Sequence, residues 1–251
     1  VEDHLDPKDA KRMDRFTQFA MVAAAEAIAQ ADLPKDDGDR IGVIIGSGIG
    51  GMHIYEDQHN LLREKGARRV SPLFIPMMIG DMAAGLVSIE HGLRGPNYCT
   101  VSACASGAHA IGDAAMIIAN GMADAMVCGG TEATITPMAV AGFANMKAMS
   151  TRNDEPELAS RPFDIGRDGF VIGEGSGLLV IESLEYAQKR GAKIFGEICG
   201  FGLTGDAYHM TAPHPEGEGA VRAMRMALDM AEMKPEDIGY INAHGTSTPL
   251  N

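Results

Sequence analysis

Cys104 stands where a nucleophile would be useful, in Val101-Ser102-Ala103-Cys104-Ala105-Ser106-Gly107. The run Tyr98-Cys99-Thr100-Val101 reads as a short buried strand, and residues 105–119, rich in Ala, Ile and Gly without Pro, read as a tightly packed helix. Cys104 then sits on the strand-to-helix turn. Unpaired N–H groups and the positive end of the helix dipole favour an anion there, and the thiolate is the reactive form of cysteine. Ala103, Ala105, Ser106 and Gly107 are small enough to let a carbonyl approach the backbone. Buried structural cysteines outnumber reactive ones by roughly two to one, and the turn placement alone only brings the two readings level. His244 is the second candidate. It lies in Ala243-His244-Gly245-Thr246-Ser247-Thr248, after a run, Ile238 to Asn242, that reads as a strand. The carboxyl end of a buried strand is where α/β sheets place ligand-binding groups, although a lone His is more often a structural hydrogen-bonder. The remaining histidines (His4, His53, His59, His91, His109, His209, His214) show no HExxH or Cys/His ligand spacing, so no metal site is expected.

Two such side chains need a scaffold, and 251 residues that are 45% hydrophobic suffice for one large α/β domain or two smaller ones. A net charge of −13 argues against nucleic-acid binding but leaves room for a local basic patch. Cys99, Cys104, Cys128 and Cys199 show no CxxC spacing, which suggests reduced thiols and a cytoplasmic setting. No apolar run reaches membrane-spanning length and no signal peptide is visible. The chain opens at Val1 without an initiator Met and stops just after a Gly/Thr/Ser-rich loop, so a fragment of a longer protein is expected.

Residues 14–31 carry apolar side chains at helical spacing, ended by Leu33-Pro34, and Arg40 to Gly46 reads as a fully buried strand. Gly46, Gly48 and Gly51 formally satisfy G-x-G-x-x-G. A dinucleotide site needs a second strand about 20 residues on, and the charged stretch 62–69 is not one, so a tight turn under a packed core is the stronger reading. Ala123 to Cys128 reads as a strand that completes a βαβ unit with the Cys104 turn and helix. Alternating charges between Thr151 and Gly169 suggest an ionic clamp holding loops. A strand (178–182), a helix (184–190), a strand (193–200) and an amphipathic helix (219–233) follow.

Three ordered stretches then change the odds: SACASG around Cys104, RPFD…RDGFVIGEG from Arg161 to Gly175, and NAHGTSTP from Asn242 to Pro249. With SGIGG, GLRGP, STRND and DAYHMT, the whole chain resembles the β-ketoacyl-[acyl-carrier-protein] synthases, in particular the type II condensing enzymes. The resemblance implies an α/β, thiolase-like fold of layered αβαβα architecture. It assigns 1–192 to the N-terminal ketoacyl synthase half, incomplete at its start, and 193–251 to the beginning of the C-terminal half. It implies Cys104 as acyl acceptor and His244 as one of two catalytic histidines; the other, a lysine and a gating loop would lie beyond Asn251. Thr246 and Thr248 match residues that bind the pantetheine arm, and His209 and Thr211 match an entrance loop. Ile79 and Phe143 match the acyl pocket, while Arg68, Arg69 and Lys147 match positions that dock an acyl carrier protein. No cofactor is implied beyond the carrier's phosphopantetheine, and a homodimer is expected, with no nucleic acid or membrane partner. The NAHGTST motif around His244 argues against a degradative thiolase, and the intact Cys104 against a non-catalytic chain-length partner of a polyketide synthase. Two alternatives stay open: a ketosynthase of a polyketide pathway, and a truncated chain that acts only as a binding or structural partner.

Overall fold

The computed structural model describes residues 3–34 and 37–250. Residues 3–192 and 244–250 form one compact unit, and residues 193–243 form another. In the first unit the helices are α1 (Pro7–Ala10), α2 (Arg15–Ala31), α3 (Met52–Lys65), α4 (Phe74–Met78), α5 (Met82–His91), α6 (Ser106–Ala119), α7 (Pro137–Asn145) and α8 (Leu184–Lys189). The sheet has the order β2-β1-β3-β4, with β1 at Ile41–Gly46, β2 at Asn97–Tyr98, β3 at Ala125–Glu132 and β4 at Gly175–Glu182. β1 runs parallel to β2 and β3, while β3 and β4 are antiparallel.

Side-chain alternation along these strands builds two cores. Ile41, Val43 and Ile45 of β1 join Ala125 and Val127 of β3 against Phe16, Ala20 and Ala24 of α2 and Ala83, Ala84 and Val87 of α5. On the opposite face Ile44, Met126 and Cys128 pack on Ala110 and Ala114 of α6. Every residue of β1 is buried, as a strand covered on both faces requires. The helix expected over 14–31 starts one residue later because Asp14 is its N-cap, accepting the Phe16 N–H. It ends where Asp32 turns left-handed at φ +51°.

Three strand expectations need correction. The segment before Cys104 is a strand for only two residues, at the sheet edge, and is not buried: Val101 is 70% exposed. Past Tyr98 the chain leaves the ladder, because Thr100 turns to bond Ser47 N–H through its carbonyl and Ser106 O through its hydroxyl. The stretches 193–200 and 238–242 form no strand. A strand is a pairing of backbones, and apolar alternation cannot supply a ladder when no neighbour among the described residues lies alongside. The strand read over 123–128 begins at Ala125 and continues through Gly129-Gly130 to Glu132.

The second unit holds helix α9 (Glu218–Ala231) and a 3₁₀ turn at Pro235–Asp237. The segment around Gly200 and Gly202 lies along α9 so closely that a Cβ on Gly202 would come within 2.0 Å of the Ala223 carbonyl oxygen. No helix among the described residues is long and apolar enough to cross a membrane.

Candidate active site

Cys104 lies in a 3₁₀ turn, Ala103–Ala105, that leads directly into α6. Ala103 is left-handed at φ +51°, which costs a non-glycine residue about 1 kcal/mol. Ser106, 3% exposed, holds that conformation: its hydroxyl accepts from Ser102 N–H at 2.9 Å and donates to the Ala103 carbonyl at 2.7 Å. One turn further along α6, His109 Nδ1 is hydrogen-bonded to Ser102 Oγ at 2.6 Å. The result is an elbow that presents Cys104 exposed. Its packing depends on two facing glycines. A Cβ on Gly46 would come within 2.4 Å of the Ser106 carbonyl, and one on Gly107 within 3.2 Å of Gly130 Cα.

The glycine-rich loop after β1 is occupied by protein. Glu132, at the end of β3, accepts from Gly48 N–H at 2.7 Å, Ile49 N–H at 3.1 Å and the Ser47 hydroxyl at 3.1 Å. A phosphate would need those same donors, so the structure bears out the tight-turn reading over the dinucleotide one. Loop, elbow and strand end surround a cavity of about 490 Å³. Cys104, Ile49 and Glu132 line it, as do Phe143 of α7 and the segment Phe170–Gly173. The Phe143 and Phe170 rings meet edge to face at 5.2 Å, which gives the cavity an apolar wall. Glu174, next to that wall, bonds Arg15 Nε, His53 Nε2 and the Ile135 N–H.

The loop of alternating charges is an ionic clamp, as its sequence suggested. Arg161 pairs with Asp168 at 3.0 Å and donates to the Ala159 and Gly166 carbonyls. Hydrogen bonds from the Ser150 hydroxyl and the Thr151 N–H hold the Asp168 carboxyl below its ordinary range. His244 is exposed, lies outside the residues lining the cavity, and belongs to a loop seated on this clamp.

The other expected site residues fall in several places. Phe143 lines the Cys104 cavity, whereas Ile79, 40% exposed after α4, does not. Thr246 Oγ1 and Thr248 Oγ1 are hydrogen-bonded to each other at 2.8 Å. In the second unit the exposed His209 accepts through Nδ1 from the N–H groups of Thr211 and Ala212. Arg68 and Arg69 are exposed in the 3₁₀ turn Ala67–Arg69, and Lys147 is exposed just after α7 at φ +57°. Sequence reasoning did not single out Glu132, Ser106, His109 or Ser247. Glu132 had the clearest signal, as an acidic residue closing an otherwise apolar, Gly-rich strand.

Burial pushes the Cys128 thiol up to about 12, and also raises that of Cys99. No group of three or more His, Cys, Asp or Glu is placed to hold a metal among the described residues.

Comparison with known proteins agrees with this geometry. The chain superimposes on a β-ketoacyl synthase from Burkholderia phymatum STM815 with a TM-score of 0.89 and 39% identity, over 100% of this chain and 61% of that one. A polyketide synthase ketosynthase, solved in complex with its acyl-carrier protein, gives a TM-score of 0.88 at 35% identity, covering 94% of this chain and 60% of that one. The fold is the thiolase-like α/β fold of the ketosynthases. Residues 2–187 match the model of the beta-ketoacyl synthase N-terminal domain and residues 195–251 that of the C-terminal domain. The chain belongs to the beta-ketoacyl synthase family. It is 62% identical over its full length to 3-oxoacyl-[acyl-carrier-protein] synthase 2 of Staphylococcus aureus, and 58% identical over 98% of its length to the protein of that name in Synechocystis. It spans 62% and 60% of the lengths of those two curated relatives.

Proposed function

We propose that the chain carries the acyl-accepting part of a 3-oxoacyl-[acyl-carrier-protein] synthase of fatty acid biosynthesis. The supporting observation is the exposed Cys104 on a left-handed elbow, facing a cavity walled by Phe143 and Phe170. In the first step Cys104 Sγ attacks the thioester carbonyl of an acyl carrier protein and the carrier's thiol departs. The Cys104 N–H supplies one donor to the tetrahedral oxyanion. In the second step a malonyl thioester loses its carboxylate as CO₂. The carbanion at its α-carbon attacks the acyl–Cys104 carbonyl, the sulfur leaves, and the chain is two carbons longer. Negative charge grows on the malonyl thioester oxygen during decarboxylation, and a neutral imidazole at His244 donates an N–H to it. Thr246 and Thr248 take the pantetheine arm, His209 and Thr211 border its entrance, and Phe143 shapes the acyl pocket.

The partner is an acyl carrier protein docked on Arg68, Arg69 and Lys147, and the assembly is a homodimer. A fatty acid pathway is preferred to a polyketide one because identity is 62% to the Staphylococcus aureus synthase but 35% to the polyketide ketosynthase. The test uses the chain carried to the length of its relatives, with acyl- and malonyl-carrier protein. A product two carbons longer, abolished by Cys104→Ala, is expected. Condensation that survives Cys104→Ala would refute the assignment.

A further inference from the structure

We propose that Ser247 and Arg167 are positioning residues that hold the His244 loop in register with the wall of the Cys104 cavity. The inference rests on the reading of His244 given above, and it starts from the hydrogen bonds between two loops far apart in sequence. Ser247 is wholly buried and left-handed at φ +65°, an unusual state for a serine that surrounding bonds must maintain. Its hydroxyl accepts from Arg161 N–H at 3.0 Å and its carbonyl from Gly169 N–H at 2.9 Å. The guanidinium of Arg167 donates to the next two carbonyls, Nε to Thr248 at 2.8 Å and Nη2 to Pro249 at 2.8 Å. Together these bonds fix the backbone of 247–249, and His244 lies three residues upstream of that anchor.

The other side of the contact is rigid as well. Arg161, Gly166 and Asp168 are cross-linked by the clamp already described, and Gly169 is pressed against Met149, where any Cβ would fall within 2.3 Å of the backbone. Phe170 follows at once. Its N–H donates to Ala148 O at 2.9 Å, and its carbonyl accepts from Ser150 N–H at 3.0 Å. Phe170 through Gly173 then form one side of the cavity that holds Cys104. An unbroken run of hydrogen bonds and short backbone therefore joins the histidine loop to the cysteine cavity. Shifting 247–249 against 161–169 shifts His244 against that cavity.

The two chemical steps depend on this register differently. Acyl transfer needs the Cys104 elbow, whose Ser106 and Ser102 bonds lie outside the clamp. Condensation needs an enolate, formed beside the imidazole, to reach the acyl carbon on Cys104. A misplacement of about 1 Å can cost such a step up to about 10²-fold. Loosening the clamp should divide the two steps.

The test uses Ser247→Gly, which keeps the left-handed backbone accessible and removes the hydroxymethyl side chain, and Arg167→Met. Arg167 is half-buried at the surface, so its replacement leaves the cores of the sheet untouched. In the chain extended to the length of its relatives, acyl loading of Cys104 from a small thioester, which needs no pantetheine contact from Thr246 or Thr248, is followed by intact mass, and malonyl-carrier decarboxylation at saturating carrier by CO₂ release. Both variants should load acyl groups within about twofold of wild type, while decarboxylation falls by about tenfold or more. An equal fall in both rates, as a purely structural role would give, overturns the proposal, and so does no fall in either. His244→Ala is the control. If it keeps wild-type decarboxylation, the assignment of His244 fails first and the inference goes with it.

Discussion

Replacing Glu132 tests how the glycine loop is held, and the cost can be worked from three contacts. Its carboxylate accepts from Gly48 N–H at 2.7 Å, Ile49 N–H at 3.1 Å and the Ser47 hydroxyl at 3.1 Å. Glu132→Ala removes all three. A hydrogen bond to a charged group contributes about 1.5–3 kcal/mol net, but exposure decides how much of that is lost. Ile49 is 49% exposed, so its N–H turns to water at little cost, whereas Ser47 is buried and its hydroxyl loses its acceptor. The half-buried Gly48 N–H and the Ser47 hydroxyl carry most of the penalty, and the expected destabilisation is about 2–3 kcal/mol. Glu132→Gln keeps one acceptor oxygen for that N–H and should cost only about 1 kcal/mol. The consequence reaches the elbow, because the loop runs beside it: a Cβ added to Gly48 would come 3.6 Å from Ala103 Cα. A loosened loop removes one wall from the Ser106-held elbow, so acyl loading of Cys104 should slow in the same order, Ala more than Gln. Urea unfolding measures the first effect as a fall in midpoint at unchanged slope. A Glu132→Ala protein within about 0.5 kcal/mol of wild type, or one that loads acyl groups normally, would refute the reasoning.

Other expectations follow from single contacts. Gly46→Ala places a Cβ 2.4 Å from the Ser106 carbonyl, so about 3 kcal/mol or more should be lost in urea unfolding; a change under about 1 kcal/mol would contradict the close packing. Brief alkylation at about pH 8 should label the exposed Cys104 and Cys199 and spare Cys128, which is buried with its thiol pushed up to about 12; labelling of Cys128 in the folded protein would be the contrary result. Asp168 is held below its ordinary value of 3.8 by the Ser150 hydroxyl first and the Thr151 N–H next. Its contribution is therefore complete above that value and fades as pH falls through the lower folded value, so the midpoint gap between wild type and Asp168→Asn should be wide at about pH 6 and shrink below about pH 3. An equal gap at both would contradict the assignment. Arg68→Glu with Arg69→Glu should raise KM for carrier-bound substrates far more than for small thioesters, and equal effects on both would remove the docking proposal.

The elements that position the nucleophile were legible because their signals are local. β1 shows as an apolar run rich in β-branched residues, α6 as an Ala-rich segment without Pro, and the turn before α6 as a cluster of small residues around Cys104. The strands expected at 193–200 and 238–242 fail for a physical reason: their apolar pattern states which face would be buried, but only a paired neighbour makes a strand. The elbow's supports were harder to read. Ser106 looks like one more small residue until its hydroxyl is seen bridging Ser102 and Ala103. Glu132 reaches a loop 84 residues away, and Ser247 meets Arg161 across 86 residues, so no window along the chain could reveal either. The glycine pattern at 46–51 was visible from the start, yet its meaning depended on that distant carboxylate.

The most direct test of the nucleophile is the intact mass of the purified chain after incubation with a long-chain acyl-carrier protein. We expect a gain of one acyl group, located on Cys104 and lost in Cys104→Ala. The same gain should appear in a chain extended to the length of its relatives. An unchanged mass in both proteins, or an acyl group that persists after Cys104→Ala, would contradict the assignment of Cys104 as the acyl acceptor.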